Sequence, residues 1–266
     1  MALSRRTVLA QAVAVLAAAA TSACTPARGA SPAGTPTQAP PPDRPIASWS
    51  LTGGFTMAGV QALRPPRLVI YSDGETIADA AYRTRLDPDD LQSLLNHLAS
   101  DLRAPSASPT TSIGPSIVDA PTTVLEAWDG QAIRTISAYG LDELRDEKVY
   151  GSAWYDARDR LGQVYKTVTV TAQPYLGAKV RVVTEPVVDG APGTKTAAPW
   201  PAQLKMPTTP DPSNHDLARE DLEGQAAGDA VRLLTRDLDQ RGAWPTYRTA
   251  DGHLVQASWR YLLPTE

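Results

Sequence analysis

Three Asp-Gly pairs, each flanked by apolar residues of high β-propensity, constrain the fold of this chain more than any other feature. Asp-Gly favours the positive φ angles of a tight hairpin turn, so each pair predicts two antiparallel strands joined by that turn. Asp73-Gly74 lies between strands at 68–71 and 76–78, Asp129-Gly130 between strands at 124–128 and 132–136, and Asp251-Gly252 between strands at 244–247 and 254–262.

Helical patterns follow the first two hairpins and precede the third. Asp87 is the expected N-cap and Pro88 the first position of a helix. Its apolar stripe has helical spacing and consists of Leu91, Leu94, Leu95, Leu98 and Leu102. Two more helices are predicted at about 152–168 and 225–239, and a strand at 179–184. The predicted class is α+β, an antiparallel sheet built from Asp-Gly hairpins with about three helices packed on one side.

The hairpin-then-helix order occurs twice, at 67–103 and at 122–168. The two hairpins align at their Asp-Gly turns, which is compatible with an internal duplication. Residues 46–266 are long enough to bury a sizeable core. Whether they form one core or two stays open at this point.

The order of residues at the N-terminus predicts an export signal. Arg5 and Arg6 precede an apolar run at 8–20, which ends in small residues before Cys24. This order is typical of a signal peptide, and the paired arginines favour the twin-arginine type over an ordinary secretory signal. The run has 13 residues, whereas a membrane span needs about 20. Residues 1–23 are therefore predicted to be a signal peptide that is removed.

Cys24 is the only cysteine in the chain, so no intrachain disulfide can form. It follows Ser22 and Ala23, as the modified cysteine does in the lipobox of bacterial lipoproteins, although Thr21 stands where leucine is usual. We expect Cys24 to carry acyl groups such as palmitate and to anchor the chain in the cell membrane, on its extracytoplasmic side. Cleavage by an ordinary signal peptidase is the alternative.

The composition of residues 24–266 separates a tether from a globular domain, and it limits the classes of partner that the chain could bind. Residues 24–45 are rich in Pro and Ala, and we expect them to be the lipidated cysteine followed by a disordered tether. Residues 46–266 are predicted to form one α+β globular domain. The formal net charge is −4, and it becomes −6 without the leader, whose only charged side chains are two arginines. No run of basic residues is present, which disfavours nucleic-acid binding.

No catalytic motif, metal-ligand spacing or cofactor fingerprint is recognisable, so no catalytic residue, metal or cofactor is predicted. His97, His215 and His253 are isolated from one another in sequence. The loop at 211–216 offers oxygen ligands for calcium, but it lacks the glycine and the distal glutamate of a hand-type loop, and a turn is the favoured interpretation. Aromatic residues at 150–155 make Trp154 and Tyr155 candidate ligand-binding side chains, with burial in the core as the favoured alternative.

Several short motifs carry a resemblance. They are Gly53-Gly54-Phe55, the segment Arg64–Tyr71 with its Asp-Gly turn, Val118–Val124, Trp200-Pro201 and the closing Trp259–Pro264. As a set, over most of residues 50–264, they resemble a family of actinobacterial lipoproteins whose function is unassigned. The resemblance implies export and an α+β fold, and it implies no activity.

Two functional hypotheses remain. The first is a membrane-anchored, non-enzymatic binding or accessory protein that contacts a protein, peptide or glycan of the cell envelope. The second is an envelope-directed hydrolase. An enzyme should show a concave pocket with convergent polar groups and a titratable residue of displaced pKa. A binding module should show an exposed apolar patch or an open sheet edge, and a purely structural protein neither.

Overall fold

The computed structural model describes residues 39–40, 44–104, 117–171, 173–187, 197–237 and 244–266. The predicted signal peptide with Arg5 and Arg6, the predicted lipidation site Cys24 and most of the predicted tether lie outside these residues. Within the described ranges the fold is α+β, as predicted from the sequence, and it contains two sheets and four helices. None of the described helices is both long and apolar enough to cross a bilayer.

The described strands of the first sheet are all antiparallel to their neighbours, and β1 lies between the two hairpins. β2 and β3 pair across Asp73-Gly74, and β5 and β6 pair across Asp129-Gly130. β1 pairs with both β2 and β5 and so joins the two hairpins into one sheet. In the order β6-β5-β1-β2-β3-β4-β7, its strands are β1 (Ala47–Gly53), β2 (Leu68–Ile70), β3 (Glu75–Ala78), β4 (Tyr82–Arg85), β5 (Pro121–Trp128), β6 (Ile133–Tyr139) and β7 (Gln173–Pro174).

The second sheet is built around the pair formed by β8 and β13. The hairpin across Asp251-Gly252 supplies β12 and β13, and only the short β9 runs parallel to its neighbour among the described strands. In the order β10-β11-β8-β13-β12-β9, its strands are β8 (Lys179–Pro186), β9 (Ala198–Pro199), β10 (Thr209–Pro210), β11 (Ala218–Glu223), β12 (Thr246–Arg248) and β13 (Leu254–Tyr261).

Four helices cover the sheets: α1 (Ala58–Leu63), α2 (Pro88–Arg103), α3 (Ser152–Thr171) and α4 (Gly224–Leu233). α2 and α3 bury their apolar faces against the first sheet, where Leu98 and Leu161 join Leu125 in one cluster. α1 packs on the second sheet through a smaller cluster that includes Val183.

A third cluster contains apolar side chains of both sheets. Val69 and Ile77 of the first sheet share it with Val182 and Trp259 of the second, and α4 contributes Ala230. The two sheets therefore share one of the three apolar clusters.

α2 begins as predicted, with Asp87 at the N-cap and Pro88 in the first helical position, although the Asp87 side chain makes no capping hydrogen bond. α4 ends at Leu233 instead of about residue 239, because the following segment is bonded to β13. Trp259 Nε1 donates to the Leu234 carbonyl at 2.9 Å, and the Asp237 amide donates to Ser258 Oγ at 2.9 Å. These bonds replace the helical ones that would have continued α4.

Candidate functional site

A pocket of about 350 Å³ opens where the first sheet, α1 and the segment after α4 meet. Its volume is at the lower end of the range that is typical of small-molecule sites, about 300–1,000 Å³. Its walls combine apolar and charged side chains, which are Leu51, Val60, Leu63, Arg64, Pro65, Arg67, Asp79, Ala81 and Arg236.

The turn between β3 and β4 places Asp79 in this pocket. Asp79 and Ala80 both adopt positive φ, 49° and 46°, a conformation that is uncommon for residues other than glycine. Hydrogen bonds fix the turn on two sides: the Asp79 amide donates to the Arg67 carbonyl at 3.1 Å, and the Tyr175 amide donates to the Ala81 carbonyl at 2.8 Å. Backbone strain of this kind is frequently found at functional sites.

Both carboxylate oxygens of Asp79 are engaged. Oδ2 accepts a hydrogen bond of 2.5 Å from the hydroxyl of Tyr165, and Oδ1 lies 3.0 Å from Arg67 Nη1. Burial raises the pKa of Asp79 above its usual value, and this outweighs the opposite effects of Tyr165, Arg67 and Arg236. Burial and the bond to Asp79 raise the pKa of Tyr165 to about 12, so Tyr165 remains a donor at neutral pH.

Arg67 is held against two aromatic rings. Its guanidinium carbon lies 4.8 Å from the ring centre of Tyr165 and 5.8 Å from that of Trp49. The two rings meet edge to face at 5.6 Å, and Arg158 lies 3.7 Å from the ring centre of Trp49. Such cation–π contacts restrict the rotamers of Arg67, so its charge has a fixed position in the pocket wall.

Arg64 and Arg236 complete the cationic part of the pocket. Arg64 Nη1 donates to the Gly53 carbonyl at 2.7 Å, and Arg236 Nη2 donates to the Ala80 carbonyl at 3.1 Å. Burial lowers the pKa of both guanidinium groups, and for Arg64 the charge of Arg67 lowers it further. Arginine stays protonated in proteins, so these lowered pKa values mark buried positive charge that a bound anion would stabilise.

Unpartnered donors accompany this charge. Arg64, Arg67 and Arg236 each have a buried Nε–H group without a hydrogen-bond partner among the described residues. Most buried polar groups in proteins have a partner, so each exception asks for an explanation. Among the lining residues, three guanidinium groups face a single carboxylate. The described lining of the pocket therefore carries excess positive charge.

The aromatic candidates from the sequence lie elsewhere. The Trp154 ring stacks on Tyr150 with 5.4 Å between ring centres. The hydroxyl of Tyr155 accepts from the Tyr150 amide at 3.3 Å and donates to the Leu144 carbonyl at 3.5 Å. Both rings thus attach the start of α3 to the segment before it, and neither lines the pocket. Their role in ligand binding stays a prediction.

The histidines and the 211–216 loop also lie outside the pocket. His97 is exposed, with Nδ1 at 2.8 Å from the Ser93 carbonyl. Asp211 is buried, accepts a hydrogen bond from the Ser213 amide at 2.8 Å and pairs with Arg219 at 3.3 Å. It stabilises a turn, which is the favoured interpretation of this loop. The described part of the chain shows no group of three or more His, Cys, Asp or Glu side chains arranged around a metal position.

Comparison with protein-family models, with curated proteins and with solved structures gives no significant match. The resemblance to actinobacterial lipoproteins therefore stays a prediction. The sequence motifs do not point to the pocket. Its nearest local signal is Arg64-Pro65-Pro66-Arg67, in which two arginines flank a rigid pair of prolines. The third arginine, Arg236, comes from the opposite end of the chain and has no local signature.

Proposed function

We propose that this chain is a non-enzymatic binding protein of the cell envelope, anchored through a lipid on Cys24, whose pocket binds an organic anion. The observation that supports an anionic ligand is the convergence of Arg64, Arg67 and Arg236 on one pocket, whose described lining residues include a single carboxylate. The localisation rests on the sequence signals at Arg5, Arg6 and Cys24. No cofactor and no nucleic acid is part of this proposal.

The electrostatics of the pocket support an anion. Charge-assisted bonds from guanidinium to carboxylate or phosphate are stronger than neutral hydrogen bonds, and they gain strength where water is excluded. The guanidinium groups of the three arginines that line the pocket can supply such bonds. The chain as a whole carries a net charge of −4, so the local positive charge is a property of the pocket and not of the general surface.

The alternative function is an envelope-directed hydrolase. The pocket satisfies two expectations for an enzyme, since it is concave and Asp79 has a raised pKa. A hydrolase also needs a nucleophile or an acid–base pair that can reach the substrate. Asp79 is the only carboxylate that lines the described pocket, and both of its oxygens have partners. The geometry therefore favours binding over hydrolysis.

Calorimetric titration of the purified full chain with octanoate and with phenyl phosphate tests the proposal. We expect Arg236→Gln to weaken binding at least about tenfold, because it removes one charge-assisted contact of about 1.5–3 kcal/mol. Arg232→Gln is the matched control, since Arg232 is an exposed arginine of α4 that pairs with Asp229. Equal affinities of Arg236→Gln and the unaltered chain would overturn the anion site, and release of phenol would support the hydrolase.

The anchor is tested separately by the intact mass of the protein extracted from membranes. Cleavage before Cys24 together with the added mass of acyl and glyceryl groups is the expected result, and Cys24→Ala should lose that added mass. An unmodified mature protein in the culture fluid would contradict the anchor and leave the pocket proposal unaffected.

A further inference from the structure

The apolar lining of the pocket indicates that its ligand has an apolar part as well as a charged group. Among the described residues, Leu51, Val60, Leu63, Pro65 and Ala81 line it together with the arginines. A small inorganic anion would leave these apolar walls in contact with water. At about 30 Å³ for each water-sized group, 350 Å³ holds roughly a dozen non-hydrogen atoms. The pocket is therefore large enough for a head group and a short apolar body.

The segment that joins β1 to α1, two elements that line the pocket, carries exposed apolar side chains. Phe55 is the only phenylalanine of the chain and is 88% exposed, and Met57 is 39% exposed. Leu51 of β1 and Val60 of α1 both line the pocket, so this segment connects two of its walls. Two consecutive Cα–Cα steps of 3.80 Å keep the Cα of Phe55 within about 7.6 Å of the Cα of Gly53.

Hydrogen bonds hold the backbone of this segment while the Phe55 ring stays free. Arg64, a pocket arginine, donates to the Gly53 carbonyl at 2.7 Å, and the Phe55 amide donates to the Asp119 carbonyl at 3.0 Å. Gly53 and Gly54 adopt φ of 64° and 79°, which glycine accepts without strain. An exposed aromatic ring on a fixed backbone, in a segment that connects two pocket walls, offers surface for apolar contact.

We infer that the ligand is a single-chain amphiphile, with an anionic head group at Arg64, Arg67 and Arg236 and an alkyl chain that leaves the pocket along Phe55 and Met57. This inference rests on the proposed anion binding and adds the class of ligand. Charge complementarity assigns the head group to the arginines, and the alkyl chain covers apolar surface that is otherwise exposed to water.

The test compares acetate, octanoate and dodecanoate by calorimetric titration of the full chain, below their micellar concentrations. A fully buried methylene group contributes up to about fourfold in affinity. We expect octanoate to bind at least about a hundredfold tighter than acetate, since the two differ by six methylenes of which part becomes buried. Equal affinities of acetate and octanoate, both weakened by Arg236→Gln, would overturn the amphiphile and leave the anion site intact.

Phe55→Ser separates the alkyl path from the head-group site. We expect it to weaken dodecanoate binding about tenfold, because partial burial of a phenylalanine side chain is lost, and to leave acetate binding unchanged. Val170→Ser is the matched control, since Val170 is 84% exposed and does not line the pocket. An unchanged dodecanoate affinity in Phe55→Ser would overturn the path along Phe55. Absence of binding by all three carboxylates would overturn the amphiphile, and absence of phenyl phosphate binding as well would overturn the anion site.

Discussion

Tyr165, in the middle of α3, donates a 2.5 Å hydrogen bond to Asp79 across 86 positions of sequence. This bond connects the helical layer to the turn that forms one wall of the pocket. Asp79 in turn lies 3.0 Å from Arg67, so the helix, the carboxylate and the guanidinium form one chain of contacts. The position of Asp79, the only carboxylate among the described residues that line the pocket, is therefore set by the packing of α3 on the first sheet.

Asp79→Asn is expected to strengthen anion binding. The substitution removes the negative charge that opposes the ligand, and a unit charge about 6–8 Å away at an effective dielectric near 20 changes affinity by roughly three- to tenfold after screening. Asparagine tolerates positive φ, and its amide oxygen can accept the bond from Tyr165. Titration with octanoate measures the change, with Asp101→Asn as control because Asp101 pairs with Arg160 outside the pocket. Weaker binding would show that the carboxylate contacts the ligand favourably.

Binding of octyl sulfate should depend on pH through Asp79. Burial raises the pKa of Asp79, so the group takes up a proton as the pH falls through that raised value, and the pocket becomes more positive. Arg64, Arg67 and Arg236 stay charged over this range, and Tyr165, with a pKa of about 12, stays protonated. We expect octyl sulfate, which remains an anion, to bind more tightly at lower pH. In Asp79→Asn this dependence should disappear, and its persistence would assign it to another group.

Short stretches of the sequence predict the hairpins of this fold, but they do not predict how the hairpins assemble into sheets. An Asp-Gly pair fixes the turn between two adjacent strands, and β2–β3, β5–β6 and β12–β13 all pair across such turns. β1 was not predicted, although its apolar and polar residues alternate. Its pairing with β5 joins residues that lie 78 positions apart, such as Ser48 and Glu126. Contacts of that separation leave no pattern in a short window of sequence.

The pocket could not be predicted from the sequence either, because segments that are distant in the chain form it. Its arginines come from the loop after α1 and from the segment after α4, and that second segment was predicted to be helical. The tertiary bond from Trp259 to the Leu234 carbonyl ends α4 early. Arg236 therefore lies in an extended segment that borders the pocket. Helix propensity could not anticipate this outcome, since it describes only local interactions.

Gly59 and Gly228 should respond in opposite directions to alanine. A Cβ at Gly59 would lie 2.4 Å from Cη2 of Trp244, whose ring is buried. We expect Gly59→Ala to lower the free energy of unfolding by about 1–3 kcal/mol, as overpacking does. Nothing lies within 4 Å of a Cβ at Gly228, so Gly228→Ala in α4 should raise it by about 0.5–1 kcal/mol. Urea unfolding of both variants measures the difference, and a stabilising Gly59→Ala would contradict the contact with Trp244.

The ion pair between Arg260 and Glu266 should contribute strongly to stability. Arg260 is 3% exposed, and its two terminal nitrogens lie 2.7 and 2.6 Å from the Glu266 carboxylate. Glu266→Gln leaves a buried guanidinium without its counter-charge, which should cost about 2–4 kcal/mol. Glu223→Gln is the matched control, because the pair with Lys179 is exposed and should change stability by less than about 0.5 kcal/mol. Equal effects in urea unfolding would show that burial of Arg260 does not matter.

Asp129 should make a similar contribution with a distinct dependence on pH. Its side chain is 1% exposed, and Oδ1 accepts hydrogen bonds of 2.9 Å from the amides of Gln131 and Ala132. Oδ2 lies 2.6 Å from Arg134 and 3.2 Å from Arg103, which extends from the last turn of α2. The bond from the Ala132 amide, together with the other amide and both arginines, holds the pKa of Asp129 well below its usual range. The carboxylate thus joins the second hairpin to α2.

We expect Asp129→Asn to lower the free energy of unfolding by about 1.5–3 kcal/mol at pH 7, because charge-assisted bonds are lost. A depressed pKa stabilises the fold fully above the unfolded value, about 3.9, and this stabilisation is lost as the pH falls through the folded value. The difference between Asp129→Asn and the unaltered chain should therefore be constant from pH 7 to about 5 and shrink below about 4. Asp251→Asn, at the exposed turn of the third hairpin, should change little in the same urea titrations. A difference that grows at low pH would show that Asp129 is protonated in the folded chain at neutral pH.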